Sequence, residues 1–280
     1  MIGDSETNYL YLAGTLPTKF PEFAARFIRL LSAHKIAWEM LPHTKDVWAV
    51  DYMPIQTDLN RFVRFTYNPK YMQAKMYQKK KTDVDALCQL MGIETIPSGI
   101  ILDGGNVIRS KNKVLMTDRI FRDNPGYERK QLIKELRELL EVDDLYFLPE
   151  QPGDFSGHAD GMVRFIDEHT VMINDYSIEK EWFYHAFEIA IHNTGLDYVR
   201  IPYNVYDNAS YNDANGDYIN FLQMENTIIL PTFGLKEDEA VVRQFEEIFP
   251  RYNIQTIESN DIARKGGILN CITWNIRVEQ

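Results

Sequence analysis

A helix-patterned stretch, a short β-prone run, a polar loop and further strands follow one another five times along this 280-residue chain. The helical stretches begin near Phe20, Asp83, Tyr127, Glu179 and Glu237. In the clearest, Tyr127 to Leu140, the side chains of Leu132, Ile133, Leu136, Leu139 and Leu140 fall on one stripe and charges fill the rest. The β-prone runs are Ile36–Leu41, Gly92–Ile96, Leu145–Leu148, Tyr198–Pro202 and Ile254–Ile257. Strand pairs come after most of the loops, as in Met162–Ile166 with Val171–Asn174 and Tyr218–Leu222 with Thr227–Leu230. A recurrence of about 50 residues is the mark of propellers and arrays. No Pro/Gly/Ser-rich linker divides the units, so a single domain over residues 1–280 is expected.

One polar residue per unit sits just beyond its first strand: Asp51, Asp103, His158, Asn220 and Cys271, at separations of 52, 55, 62 and 51 residues. Units ringing a central axis would turn all five into one cavity. Each position also has a plainer reading. Cys271 follows Lys265-Gly266-Gly267-Ile268-Leu269-Asn270 and would by default be a buried thiol in a C-terminal strand. The two glycines, which allow a sharp turn or a close ligand, favour a nucleophile, whose thiol pKa a nearby cation or imidazolium would lower. His158 and Asp160, in Gly157-His158-Ala159-Asp160, would share one face of an extended strand and enter a pocket side by side. Asp103-Gly104-Gly105 reads alone as a hairpin turn. Asp51, among Val50, Tyr52 and Met53, is a carboxylate that is costly to bury unless paired. Cys88 has apolar helical neighbours and reads as core, and the other five histidines read as surface or core residues.

Composition removes several classes of function. Two cysteines rule out a disulfide framework, and neither Cys-x-x-Cys nor His-x-x-x-His metal spacing occurs. With 41 acidic against 30 basic residues, the formal charge of −11 argues against nucleic acid and favours the approach of a small cation. The Lys79-Lys80-Lys81 run reads as a solvated loop. No apolar run reaches the ~18 residues of a membrane span, and the acidic start lacks signal-peptide character, so a cytoplasmic protein is expected.

In order along the chain stand Trp48-x-x-Asp51-x-x-Pro54, Asp103-Gly104-Gly105-Asn106, Gly157-His158-Ala159-Asp160, Tyr218-Ile219-Asn220-Phe221, Pro231-Thr232-Phe233-Gly234 and Gly266-Gly267-Ile268-Leu269-Asn270-Cys271-Ile272-Thr273. Together these segments resemble the agmatine deiminase and bacterial peptidylarginine deiminase branch of the guanidino-modifying (pentein) superfamily. The resemblance implies an α/β fold, a five-bladed α/β propeller of pseudo-repeated ββαβ units. It also implies Cys271 as nucleophile, His158 as general acid/base, and Asp51 and Asp160 as the carboxylates that grip a guanidinium. Asp103 would orient His158 or line the pocket, and Asn220 and Trp48 would contact substrate. No metal or organic cofactor is implied, and a homo-oligomer is compatible with the sequence.

The chain departs from the family pattern at Val50, where arginine is common, and at Asn270, where agmatine deiminases usually carry histidine. It is also shorter than the common agmatine deiminases. Deimination of agmatine or a related small guanidine is therefore the leading expectation. Free or peptidyl arginine is the alternative, with Arg61, Arg64 or Lys70 able to hold a carboxylate. Amidino transfer and non-catalytic guanidine binding are the further ones.

Overall fold

In the computed structural model, residues 1–69, 72–203 and 213–279 are described. Lys70 lies outside them. Five three-stranded sheets follow one another along the chain. The first joins β1 (Tyr9–Ala13) and β2 (Ala37–Leu41), with helix α1 (Pro21–Ala33) between them. The next three sheets are β3 (Ile55–Asp58), β4 (Arg61–Thr66) and β5 (Thr95–Ile101); β6 (Ile108–Arg109), β7 (Lys113–Thr117) and β8 (Asp144–Leu148); and β9 (Val163–Phe165), β10 (Thr170–Asn174) and β11 (Asp197–Ile201). The last comprises β12 (Leu222–Gln223), β13 (Thr227–Thr232) and β14 (Asn253–Glu258), and β15 (Thr273–Ile276) returns to complete the first sheet.

Each sheet pairs its first two strands antiparallel and its last two parallel. A parallel pair needs a crossover, and a helix supplies it in every sheet: α1, then α2 (Val84–Met91), α3 (Arg129–Leu140), α4 (Glu181–Asn193) and α5 (Asp238–Ile248). This is the expected five-bladed α/β propeller of ββαβ units. The helices form where the apolar stripe and the caps coincide. In α3, Leu132, Leu136 and Leu140 are buried, Glu128 accepts from the Gln131 amide at the start, and Glu141 ends the helix at φ 55°. In α2, Asp83 caps the Ala86 amide, and Leu87 and Cys88 face the core, as expected for Cys88.

Four expectations about local structure are corrected. Gly92 is no strand residue: it ends α2 in the left-handed region at φ 70°, and the strand starts at Thr95. Asp103-Gly104-Gly105 is not a hairpin turn, because β5 and β6 belong to different sheets; Asp103 precedes a single 3-10 turn, Gly104–Asn106. Asp160 likewise belongs to a 3-10 turn, Ala159–Gly161, which the extended His158 immediately precedes, rather than to a strand. Tyr218–Phe221 is irregular backbone leading into β12.

These corrections locate the functional loops. Asp51, Asp103, His158, Asn220 and Cys271 each lie between the third strand of one sheet and the first strand of the next. Five sheet-to-sheet connections therefore deliver one polar residue apiece.

Candidate active site

Cys271 lies in a turn just before β15 and is 8% exposed. The preceding Gly266 takes φ 88°, which only glycine adopts without strain. Gly267 serves close approach instead: a methyl there would stand 2.5 Å from Trp48 Cζ3 and 3.0 Å from Cys271 Cβ. The Trp48 indole thus packs beside the thiol because position 267 has no side chain.

The thiol donates to Asp160 Oδ2 at 3.3 Å and receives the Asn220 side-chain amide at 3.3 Å. Asn220 Oδ1 in turn accepts from the backbone amides of Asn270 (3.1 Å) and Cys271 (3.3 Å), which fixes the turn carrying the sulfur. His158 stands between two carboxylates. Its Nε2 lies 3.0 Å from Asp103 Oδ2, and its Nδ1 lies 3.4 Å from Asp51 Oδ1. Asp51, in the one-turn helix Ala49–Tyr52, also accepts from the Gly105 amide at 3.2 Å. These contacts offset only part of the cost of burying Asp51.

Gly105 marks where these groups meet. A methyl added there would come within 2.7 Å of Asp51 Oδ1, 2.8 Å of His158 Nδ1 and 3.2 Å of Asp160 Oδ2. At Gly104, an added methyl would collide with the Val50 carbonyl. The Gly-Gly pair read as a turn signal is thus a requirement for close packing between two connections.

The electrostatics differ from the sequence expectation at the sulfur. Burial, and then the charges of Asp160 and Asp51, push the Cys271 thiol well above its ordinary pKa rather than below it. Burial likewise raises Asp51, to about 8, with Asp103 and Asp160 adding to the effect and His158 opposing it. For His158, burial disfavours the imidazolium, but Asp51, Asp103 and Asp160 outweigh it and raise the group to about 10. Asp217 sits behind this cluster, and burial followed by the charge of Asp160 pushes it well above the carboxylate range.

All seven candidate residues fall at this one centre: Cys271, His158, Asp160, Asp51, Asp103, Asn220 and Trp48. Two further residues belong to this centre: Asn270, noted in the sequence only as a departure from the family pattern, and Arg164, which sequence reasoning missed. The Asn270 side chain donates to Asp160 Oδ2 at 2.8 Å and accepts from Arg164 Nη1 at 2.9 Å. Arg164 is 1% exposed and also binds Asp4 Oδ2 at 2.6 Å. A cation in the apolar run Met162-Val163-Arg164-Phe165-Ile166 was a signal of the same kind as Asp51.

The other suggestions resolve elsewhere. Arg61 is engaged by Leu139 O at 2.7 Å, and Arg64 by Asp85 Oδ1 at 2.6 Å. Lys79 and Lys80 are exposed, as a solvated run should be, whereas half-buried Lys81 donates to Asn68 Oδ1 at 2.6 Å. Among the described residues, no helix is long and apolar enough to cross a membrane.

Comparison with known proteins gives a consistent answer. The agmatine deiminase of Stutzerimonas stutzeri is 24% identical over 208 residues, covering 62% of this chain and 56% of that protein. The matched stretch spans about 60% of the length of the curated relatives. Among solved structures, the C. jejuni agmatine deiminase superposes with a TM-score of 0.81 at 19% identity, covering 99% of this chain and 95% of that one. A DDAH from Pseudomonas aeruginosa superposes with a TM-score of 0.59 at 10% identity, covering 96% and 99%. At these identities the superpositions establish the fold. The Porphyromonas-type peptidyl-arginine deiminase model matches residues 24–276, nearly the whole length, and the chain belongs to that family.

Proposed function

We propose that this chain is a thiol-dependent hydrolase that deiminates agmatine or a related small guanidine to a ureido product and ammonia. The observation carrying the reading is the charge balance of the buried cluster. Asp51, Asp103, Asp160 and a thiol are set against one imidazole, with Asp160 in contact with the sulfur. Among the described residues of this cluster, acid outnumbers base. A guanidinium supplies positive charge as a planar cation whose paired N–H groups suit carboxylates at Asp51 and Asp160.

The raised thiol fits this arrangement. An incoming guanidinium offsets the carboxylate charges that, together with burial, hold the proton on Cys271, so the sulfur ionises on substrate entry and its proton leaves to solvent. The thiolate then attacks the guanidinium carbon, held at reacting distance by the carboxylates. His158, kept protonated by Asp103 and Asp51, gives its proton to the departing nitrogen as the C–N bond breaks and ammonia leaves. The neutral imidazole next takes one proton from water as the water oxygen bonds to the thiouronium carbon; the C–S bond then breaks to return the thiolate, and the remaining hydroxyl proton leaves to solvent as the ureido carbonyl forms. Asn220 steadies the sulfur, and Trp48 walls the pocket beside it.

The agmatine deiminase names of the relatives support the small-guanidine reading. The family's own description favours a second substrate, arginine within a peptide. Free arginine, whose carboxylate needs a cation, gains nothing from Arg61 or Arg64, which are committed to other partners. Release of ammonia and ureido product should be measured on agmatine, arginine, methylarginines and an arginine peptide, with Cys271→Ala as control. Turnover of one compound, abolished in the alanine variant, is the expected result. Labelling of Cys271 by an amidine-bearing haloacetamidine without any turnover would redirect the reading to amidino transfer. Silence in both assays would leave a binding protein.

A further inference from the structure

Arg164 on β9 is the largest side chain almost wholly removed from solvent, and the chemistry proposed above does not use it. Its guanidinium makes three directed contacts. Nη1 donates to Asn270 Oδ1 at 2.9 Å and to the Phe221 carbonyl at 3.2 Å, while Nη2 donates to Asp4 Oδ2 at 2.6 Å. Its face lies 4.8 Å from the centroid of the Phe221 ring. Asp4 is held in turn by Arg109 Nε at 3.0 Å.

The contact with Asn270 decides an orientation. A carboxamide carries an acceptor at one end and a donor at the other, and an arginine can only donate. Arg164 therefore takes the Asn270 oxygen and leaves the NH₂ group to Asp160 Oδ2, at 2.8 Å. Turned the other way, the amide would set its oxygen against the Asp160 carboxylate and its nitrogen against the guanidinium. Asn270 also borders a narrow cleft with Val50, Gly104, Arg109 and Trp274.

We propose that Arg164 is a positioning residue: acting through Asn270, it holds Asp160 in the place from which that carboxylate meets both the Cys271 thiol and a bound guanidinium. Asp160 Oδ2 then carries the Asn270 and Cys271 contacts at the edge of the gap that Gly105 leaves open. This proposal rests on the deiminase reading for its substrate, but not for its geometry. It gives a physical account of Asn270 in this chain. An amide with a fixed acceptor end fits beside a buried guanidinium, and a protonated histidine does not.

A double-mutant cycle tests the proposal, with Arg164→Met, Asn270→Ala and both together. The readouts are kcat/KM on the guanidine panel and the second-order rate of Cys271 labelling by the haloacetamidine probe. Each single change should cost about 10- to 100-fold in both, as expected when a reacting group is displaced by a fraction of an ångström to an ångström. The double variant should be no worse than the worse single one, because both act through one carboxylate. Additive losses, or an Arg164→Met protein of undiminished activity and labelling, would overturn the proposal.

Asp4→Asn keeps the Arg164–Asn270 bond while removing the ion pair, and should cost less than about threefold. A loss as large as that of Arg164→Met would show that only the ion pair matters, and would equally overturn the proposal. Arg164→Lys covers failure of the methionine variant to fold. A single ammonium cannot serve Asn270 and Asp4 with the same fork geometry, so an intermediate loss is expected and full activity is not. If the unsubstituted protein turns over no guanidine, the deiminase reading falls, while the labelling cycle still decides the role of Arg164.

Discussion

Gly105 shows how narrow the tolerances of this site are. Gly105→Ala would place a methyl in the gap between Asp51, His158 and Asp160, and under the proposed function should reduce kcat/KM by about 100-fold. Gly92→Ala serves as a contrast, since nothing lies within 4 Å of a methyl there. That variant should lose about 1 kcal/mol from the left-handed backbone and keep its activity, which thermal melts and initial rates would separate. The buried titrating groups give a prediction on stability. His158 is raised to about 10 and Asp51 to about 8, so the folded protein holds protons that the unfolded chain has released. Stability from His158 is fully present below its unfolded value near 6.5 and is lost as pH rises through 10. Asp51 prefers its neutral form, so it too costs stability as pH climbs from about 4 towards 8. The melting temperature of the ligand-free protein should therefore fall steadily from pH 6.5 to 10, and Asp51→Asn with His158→Gln should flatten that slope. A melting curve rising over this range would contradict the assignment.

At the scale of elements, the crossover helices belong to the scaffold. Leu136 is fully buried on the inner face of α3, and Leu136→Ala should cost about 2–5 kcal/mol by the cavity it leaves. Denaturant melts would show the loss, while kcat at 25 °C should stay within twofold as long as the protein remains folded. These helices were legible in the sequence because a stripe of leucines at 3.6-residue spacing depends on nothing distant. The strands that follow them were nearly as plain, misjudged only where Gly92 caps a helix. The connections were not legible as structure. Two turns read as a strand and a hairpin are 3-10 turns, because contacts from neighbouring connections override the local propensity of Asp-Gly-Gly and His-x-Asp. The candidate residues that converge here were nonetheless named, since a carboxylate in an apolar stretch or a glycine pair before a cysteine survives errors in local geometry. What escaped was Arg164, whose purpose appears only once β9 stands beside the turn that carries Asn270. The raised thiol escaped for the same reason, because its neighbours come from other units.

At the scale of the molecule, the formal charge of −11 should draw cationic substrates towards the site. Under the proposed function, kcat/KM should fall as sodium chloride rises from 10 to 500 mM, and more steeply for doubly charged agmatine than for arginine. A flat dependence for both would mean that the surface charge plays no part in capture. The sheet order has another consequence. β15 pairs with β1, so the first sheet is complete only when residues 9–13 and 273–276 have met. The sulfur and its neighbours Asp160, Asn220 and Trp48 stand on four different connections. During refolding from denaturant, helical circular dichroism can recover blade by blade, while the thiol acquires its partners only at the end. Reactivity of Cys271 towards the amidine probe should therefore lag behind the far-ultraviolet signal, serving as a clock for the closing of the ring.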